Sequence, residues 1–395
     1  MSDAIMILSA RRTPIGAFQG ALSAMTAPQL GSAAMRAAIE AAGIQAADLD
    51  ETIMGCVLPA GLGQAPARQA AIGAGVPVQV PATTVNKMCG SGMKAIMLAA
   101  DQLSVGHAAL VLAGGLESMS NAPYLLLKAR SGYRMGHGEI LDHMFYDGLQ
   151  SPWDGKLMGC FADATAAKYG FTRTEQDAFA TESVRRAMRA LQAGEFDAEV
   201  TPVTVKTRKG TTLVERDETP LACDVAKIAT LKPAFGANGT VTAASSSSIS
   251  DGAAAAVLTR DSVARKRGLK PVAHLAAWAS NALAPEWFTV APVGAIEKVL
   301  KSAGWSVADV DLFEVNEAFA VVAMAAMRDL KIDHQKLNVN GGACALGHPV
   351  GATGARIITT LIHALQKSGG RRGVAALCIG GGEATAVAIE LVQNN

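Results

Sequence analysis

Apolar positions along the chain fall into short continuous runs rather than clean alternation. Ala108–Ala113 and Val374–Ile379 are apolar, rich in strand-forming residues, and followed by glycines. Such runs predict strands buried on both faces. The stretch Ser91–Leu103 carries only Lys94 and Asp101 as charges, which predicts a helix buried nearly all round. Thr172-x-x-Glu175 forms a capping box ahead of a helical run that reaches the stop signal Gly194.

Two segments repeat in register. Ala42-Gly43-Ile44-Gln45-Ala46-Ala47-Asp48-Leu49-Asp50 matches Ala303-Gly304-Trp305-Ser306-Val307-Ala308-Asp309-Val310-Asp311. At the same offset, Lys87-Met88-Cys89-Gly90 falls on His348-Pro349-Val350-Gly351. Val111–Glu117 then matches Leu377–Glu383, with the extra residues in the Lys367–Arg372 turn. The pattern predicts two similar halves, each running helix, strand, glycine turn, helix, strand. Such alternation implies parallel sheets with helices on both faces. The middle, about Met119 to Ser248, is richer in charge, Gly and Pro, and reads as an insertion covering the core. The expected division is 1–118 with 249–270 as one half, 119–248 as the insertion, and 271–395 as the other half.

Composition narrows the function. The 395 residues are 50% hydrophobic and 17% charged, enough for a large core. A net charge of +1 without like-charge blocks leaves no basic footprint for nucleic acid. No stretch approaches the roughly 18 continuous apolar residues of a membrane span. The first residues lack a basic region before their apolar run, and Val-Gln-Asn-Asn at the end carries no address signal. Six cysteines without a CxxC pair point to a reducing, cytoplasmic setting rather than a disulfide framework or zinc site.

Four places carry candidate chemistry. Cys89, in Asn86-Lys87-Met88-Cys89-Gly90-Ser91-Gly92, stands at a strand-to-helix junction, where helix N–H groups and dipole are expected to lower a thiol pKa. A packed cysteine is the competing reading. His348 sits in the glycine-dense loop Asn338–Gly354, at the place equivalent to the Cys89 turn. Packing of the halves about a two-fold axis would bring both helix starts to one crevice. Cys378 ends an apolar strand just before Gly380-Gly381-Gly382, and Asn316-Glu317-Ala318-Phe319 follows another strand. A buried strand cysteine and a turn asparagine are the plain alternatives.

Asn86–Gly92, Asn316–Phe319, Asn338–Gly354 and Cys378–Glu383 together resemble the thiolase family, in family order and over essentially the whole chain. The resemblance implies an α/β duplicated five-layer αβαβα fold with an inserted loop domain. It implies acetyl-CoA C-acetyltransferase activity, the reversible Claisen condensation of two acetyl-CoA to acetoacetyl-CoA plus CoA. The alternative is a broader chain-length 3-ketoacyl-CoA thiolase of fatty-acid β-oxidation.

By the same resemblance Cys89 is the acylated nucleophile, His348 takes its proton, and Cys378 is the second acid/base. Asn316 holds a water that, with His348, faces the enolate oxygen. The N–H groups of Cys89 and Gly380 face the other oxyanion, and a side chain at Gly380 is expected to crowd that donor. Met158, Phe235, Ser247, Ile249, Ala318 and Phe319 are expected along the pantetheine arm of coenzyme A, with Phe288 over the acyl group. Ala243–Ser248 alone would pass for a flexible linker. No metal or prosthetic group is implied, and acetyl-CoA is a substrate.

Leu157 stands where many short-chain members have His, and Pro220 lies where a basic residue is frequent, leaving Lys227 or Arg208 for the nucleotide end. A homodimer or homotetramer is implied, with Tyr133–Tyr146 as a tetramer contact. Two further rivals are weaker. A decarboxylating condensing enzyme would pair its cysteine with a second histidine or an asparagine. A lipid-binding scaffold would have lost Cys89, His348 or Cys378.

Overall fold

The computed structural model describes residues 3–208 and 210–392. The terminal sequences read above for leader and address signals lie partly outside them. Nine strands build the core: β1 (Ile5–Arg12), β2 (Glu51–Gly55), β3 (Ala82–Val85), β4 (Leu110–Ser118), β5 (Ser250–Arg260), β6 (Ala273–Ala282), β7 (Leu312–Val315), β8 (Arg372–Ile379) and β9 (Glu383–Leu391). The first half is ordered β1-β5-β4-β2-β3 and the second β6-β9-β8-β7. They join where β1 pairs antiparallel with β6, Met6 opposite His274 and Ile7 opposite Ala273.

The predicted duplication is visible in the strand order. In each half a strand early in that half lies beside the closing antiparallel strand, and the parallel strands follow. β4, β2 and β3 are parallel, as are β7 and β8. β5 and β9 run antiparallel to their neighbours, so the sheets are mixed, not purely parallel as expected. The reason is that β8 turns directly into β9 through Gly380–Gly382, while β4 is returned to by β5 after the insertion. The two halves also differ. Among the described residues the second has no strand equivalent to β3; Leu337 makes a single bridge to Phe313, and the Asn338 side-chain amide bonds both Val315 N (2.9 Å) and Val315 O (2.9 Å).

Seven helices matter for the site: α1 (Ala27–Ala42), α2 (Ser91–Ser104), α3 (Met158–Tyr169), α4 (Arg173–Gln192), α5 (Ala291–Ala303), α6 (Ala320–Leu330) and α7 (Thr353–Ser368). The strands separate three apolar layers. Leu110, Leu112 and Leu116 face α1, while Val111 and Ala113 face α2 and α7. On β8, Ala375 and Leu377 face α2 and α7, while Val374, Ala376 and Cys378 face α5 and α6. Helices thus lie outside each sheet and between the two, the five layers expected. The middle helices approach closely: a Cβ on Gly92 would lie 2.9 Å from Gly351 O, and one on Gly354 would lie 2.4 Å from Met93 N. Alanine or larger cannot occupy these places without parting the helices.

The insertion holds α3 and α4. Thr172 caps α4 with the Glu175 capping box, and Gly194 follows the helix with φ +65°. Arg12 ties β1 to the insertion, bonding Glu199 at 2.5 Å and Asp217 at 2.7 Å and 2.9 Å, all three side chains buried. Ala243–Ser248 is fixed rather than flexible. Ser247 N donates to Ala318 O, Ala320 N donates to Ser245 O, and Ser245 and Ser246 are buried. Among the described residues, no helix is long and apolar enough to cross a membrane.

Candidate active site

Cys89 sits on a sharp turn. Asn86 Oδ1 accepts from Met88 N at 2.9 Å, Gly90 N donates to Lys87 O, and Met88 takes φ +47°. That left-handed backbone at a methionine is a local strain of the kind stored at functional turns. Asn86 Nδ2 donates to Val57 O, so the turn is held to the end of β2. A Cβ on Gly90 would lie 2.4 Å from Ile379 Cδ1, so the turn packs directly against the last residue of β8.

The second half supplies the facing groups. The N–H groups of Gly380 and of Cys89 itself act on the Cys89 sulfur to lower its pKa. Burial nevertheless outweighs these donors and pushes the thiol up to about 11, against the lowering expected from its helix start. Burial also pushes the Cys378 thiol well up, and the charge Cys89 would carry when ionised adds to this. His348 is 6% exposed, and burial, then the nearby Arg356 guanidinium, lower its pKa to about 3. Its Nδ1 lies 2.6 Å from Thr353 Oγ1. Asn316 is buried on the loop after β7; its N–H donates to Ala376 O, and both side-chain amide atoms lack partners among the described residues.

These groups adjoin a cavity of about 380 Å³. Cys89, His348 and Gly380 line it, as do Met158, Phe235, Ser247, Ile249, Phe288, Ala318 and Phe319. Cys378 and Asn316 are not on its wall; both are buried, each two residues before one that is, Gly380 and Ala318. Lys227 and Arg208 are not on it either. Lys227 is exposed and pairs with Asp224 at 3.4 Å, and Arg208 stands at the tip of the hairpin Val203–Thr207/Gly210–Val214. The cavity wall is aromatic on one side. Phe319 meets Phe235 edge-on at 5.8 Å and Phe288 at 6.5 Å. Gly159 makes room for the Phe235 ring, whose atoms a Cβ would meet at 2.2 Å. At Gly380 a Cβ would meet only Met158 Sδ, at 3.4 Å, and would take up space in the cavity that Gly380 lines.

Several residues escaped the sequence reading. Glu117 is buried beneath the site and accepts from Val57 N (2.9 Å), Leu58 N (3.2 Å) and Gly351 N (2.9 Å), clamping both halves. Burial pushes its carboxyl up to about 7. Glu317 likewise holds Ser183 Oγ, Asn338 Nδ2 and Cys344 N. Lys87 pairs with Glu383 across the two loops that carry Cys89 and Gly380. The available signal was a glutamate at or near a strand end: Glu117 is next to last in β4, Glu317 lies two residues past β7, and Glu383 opens β9. Met119, Phe145, Leu149 and Leu157 also line the cavity, but short 3₁₀ and π turns place three of them, too short for any periodicity to mark them.

Comparison with known proteins agrees with this architecture. Residues 5–262 match the thiolase N-terminal domain and residues 269–391 the thiolase C-terminal domain. An acetyl-CoA acetyltransferase of Escherichia coli (strain K12) is 49% identical over 387 residues, 98% of each chain. One of Pseudomonas aeruginosa is 47% identical, also over 98% of each chain. The crystal structure of the Bacillus anthracis acetyl-CoA acetyltransferase superposes with a TM-score of 0.97 at 39% identity, covering 99% of both chains. With both domain models matched in order over nearly its full length, the chain belongs to the thiolase family.

Proposed function

We propose that this protein is an acetyl-CoA C-acetyltransferase working through a cysteine acyl-enzyme. The observation that carries the reading is one apolar cavity flanked by the Cys89 sulfur, the His348 imidazole and the Gly380 N–H. In the synthetic direction the Cys89 thiol gives its proton to His348, and the sulfur attacks the carbonyl of acetyl-CoA. The N–H groups of Cys89 and Gly380 receive the oxyanion, and CoA departs with the proton of the Cys378 thiol, which leaves Cys378 as the thiolate and His348 charged. Cys378 then removes an α-proton from a second acetyl-CoA. His348 and a water on Asn316 face the enolate oxygen, and the carbanion attacks the acyl-Cys89 to give acetoacetyl-CoA. Thiolysis runs the steps backwards.

Met158, Phe235, Ser247, Ile249, Ala318 and Phe319 are assigned to the pantetheine arm, and Phe288 to the cover over the acyl group. Their apolar and small side chains suit a neutral, flexible chain sliding between two walls. Coenzyme A enters as substrate. We assign the chain to the cytoplasm, to fatty-acid metabolism, and to a homodimer or homotetramer, with the largely exposed Tyr133–Tyr146 segment as tetramer contact.

The deciding experiment is steady-state thiolysis of acetoacetyl-CoA against 3-ketoacyl-CoA esters of increasing length. A kcat/KM that falls steeply beyond four carbons is expected. Equal values along the series would instead assign the broader chain-length thiolase. Incubation with acetyl-CoA should add one acetyl mass to the protein, and Cys89→Ala should abolish the gain.

A further inference from the structure

Thr353 opens α7, and its hydroxyl has two neighbours. Oγ1 lies 2.6 Å from His348 Nδ1 and 2.9 Å from Pro349 O. Thr353 and His348 are both buried, so solvent does not compete. A hydroxyl carries one proton and a carbonyl oxygen only accepts. When that proton points to Pro349, Oγ1 offers only lone pairs to the ring, and Nδ1 must carry the hydrogen. The reverse arrangement would set the Oγ1 and Pro349 lone pairs against each other at 2.9 Å with no proton between them. Nε2 of His348 is buried with no partner among the described residues, and His348 lines the cavity beside Cys89.

We propose that Thr353 is a positioning residue that holds His348 as its Nδ1–H tautomer, so that the Nε2 lone pair meets the Cys89 thiol as proton acceptor. This rests on the reading of Cys89 as nucleophile and His348 as its base. The transfer balances: the S–H bond breaks, the sulfur keeps the electron pair, and the proton bonds Nε2. The ring then carries hydrogen on both nitrogens, and Thr353 still accepts from Nδ1. Nε2 can therefore donate to a substrate oxygen only after it has taken a proton. The single imidazole is thus an acceptor in the resting enzyme and a donor once charged, and Thr353 sets that order.

The test uses the full-length protein labelled with ¹⁵N-histidine. In the substrate-free wild type, the His348 Nε2 resonance should be of the unprotonated, pyridine-like kind and Nδ1 of the protonated kind. Thr353→Val keeps the side-chain shape but removes the acceptor. It should mix the tautomers and slow single-turnover acylation by acetyl-CoA roughly 10–100-fold, the usual scale for loss of an orienting partner. Thr353→Ser should restore both signals and rate. A wild-type spectrum with hydrogen on Nε2 overturns the proposal without depending on any variant's folding. So does a folded Thr353→Val with wild-type acylation. His348→Asn separates the two readings: unchanged acylation there removes His348 as base, whereas lost acylation with a wild-type Nε2–H removes only the role of Thr353.

Discussion

At the scale of single residues, the acid and the base sit at opposite extremes. Burial raises Cys89 to about 11 and lowers His348 to about 3. Both groups are therefore neutral between those values: the thiol keeps its proton below the higher one and the imidazole is uncharged above the lower. An exposed cysteine ionises near ~8.5. Alkylation of Cys89 by iodoacetamide in the substrate-free protein should thus keep rising past pH 9; a plateau at neutral pH would mean a resting thiolate–imidazolium pair. Charge separation is then left to the moment when substrate oxygen faces the two backbone N–H groups. Removing a donor for developing charge has a known scale, so Asn316→Ala should raise the barrier to condensation by about 3 kcal/mol. Cys378→Ser should still acylate, visible as the acetyl mass gain, yet condense poorly; full condensation would remove Cys378 from the second step.

At the scale of elements, two glycines at neighbouring places behave differently. Gly354→Ala would press a methyl within 2.4 Å of Met93 N, where backbone cannot yield. Overpacking of this kind should cost about 1–3 kcal/mol in urea unfolding. Gly380→Ala meets only Met158 Sδ at 3.4 Å, so its unfolding should stay near wild type while kcat/KM falls as the methyl takes substrate space. Much of this level was legible beforehand. Buried strands, the α4 capping box and the register of the duplication all rest on local patterns, which short-range physics writes directly into the chain. β4 runs on to Ser118, beyond the expected Ala113, because Gly114 and Gly115 stay in the strand, where β5 and the α7 entrance leave no room for side chains. The antiparallel return strands were not legible, since strand direction depends on which distant segment pairs. The Glu117 and Glu317 clamps escaped for the same reason: their partners lie far along the chain.

At the scale of the whole molecule, Arg12 decides whether the insertion stays docked. Its guanidinium is wholly buried and satisfies Glu199 and Asp217, which are themselves buried. Arg12→Ala would strand two carboxylates in the interior, a change worth about 3–5 kcal/mol. Urea unfolding should show the loss, and Arg12→Lys should recover part of it but not the two-pronged bond to Asp217. Family resemblance singled out Cys89, His348 and Cys378 as the proposed catalytic trio. It did not supply the pKa values, which come from how deeply the core buries each group.

The position of β1 has a further consequence. It lies between β5 and β6, so its sheet partners are segments beginning at Ser250 and Ala273, far along the chain. The nascent chain must carry an apolar ribbon, Ile5 to Ala10, without its native edges until both of those segments have been made. Late closure of this kind is slow and exposed to misassembly, which makes biogenesis, more than the finished enzyme, the stage at which this protein would depend on chaperones.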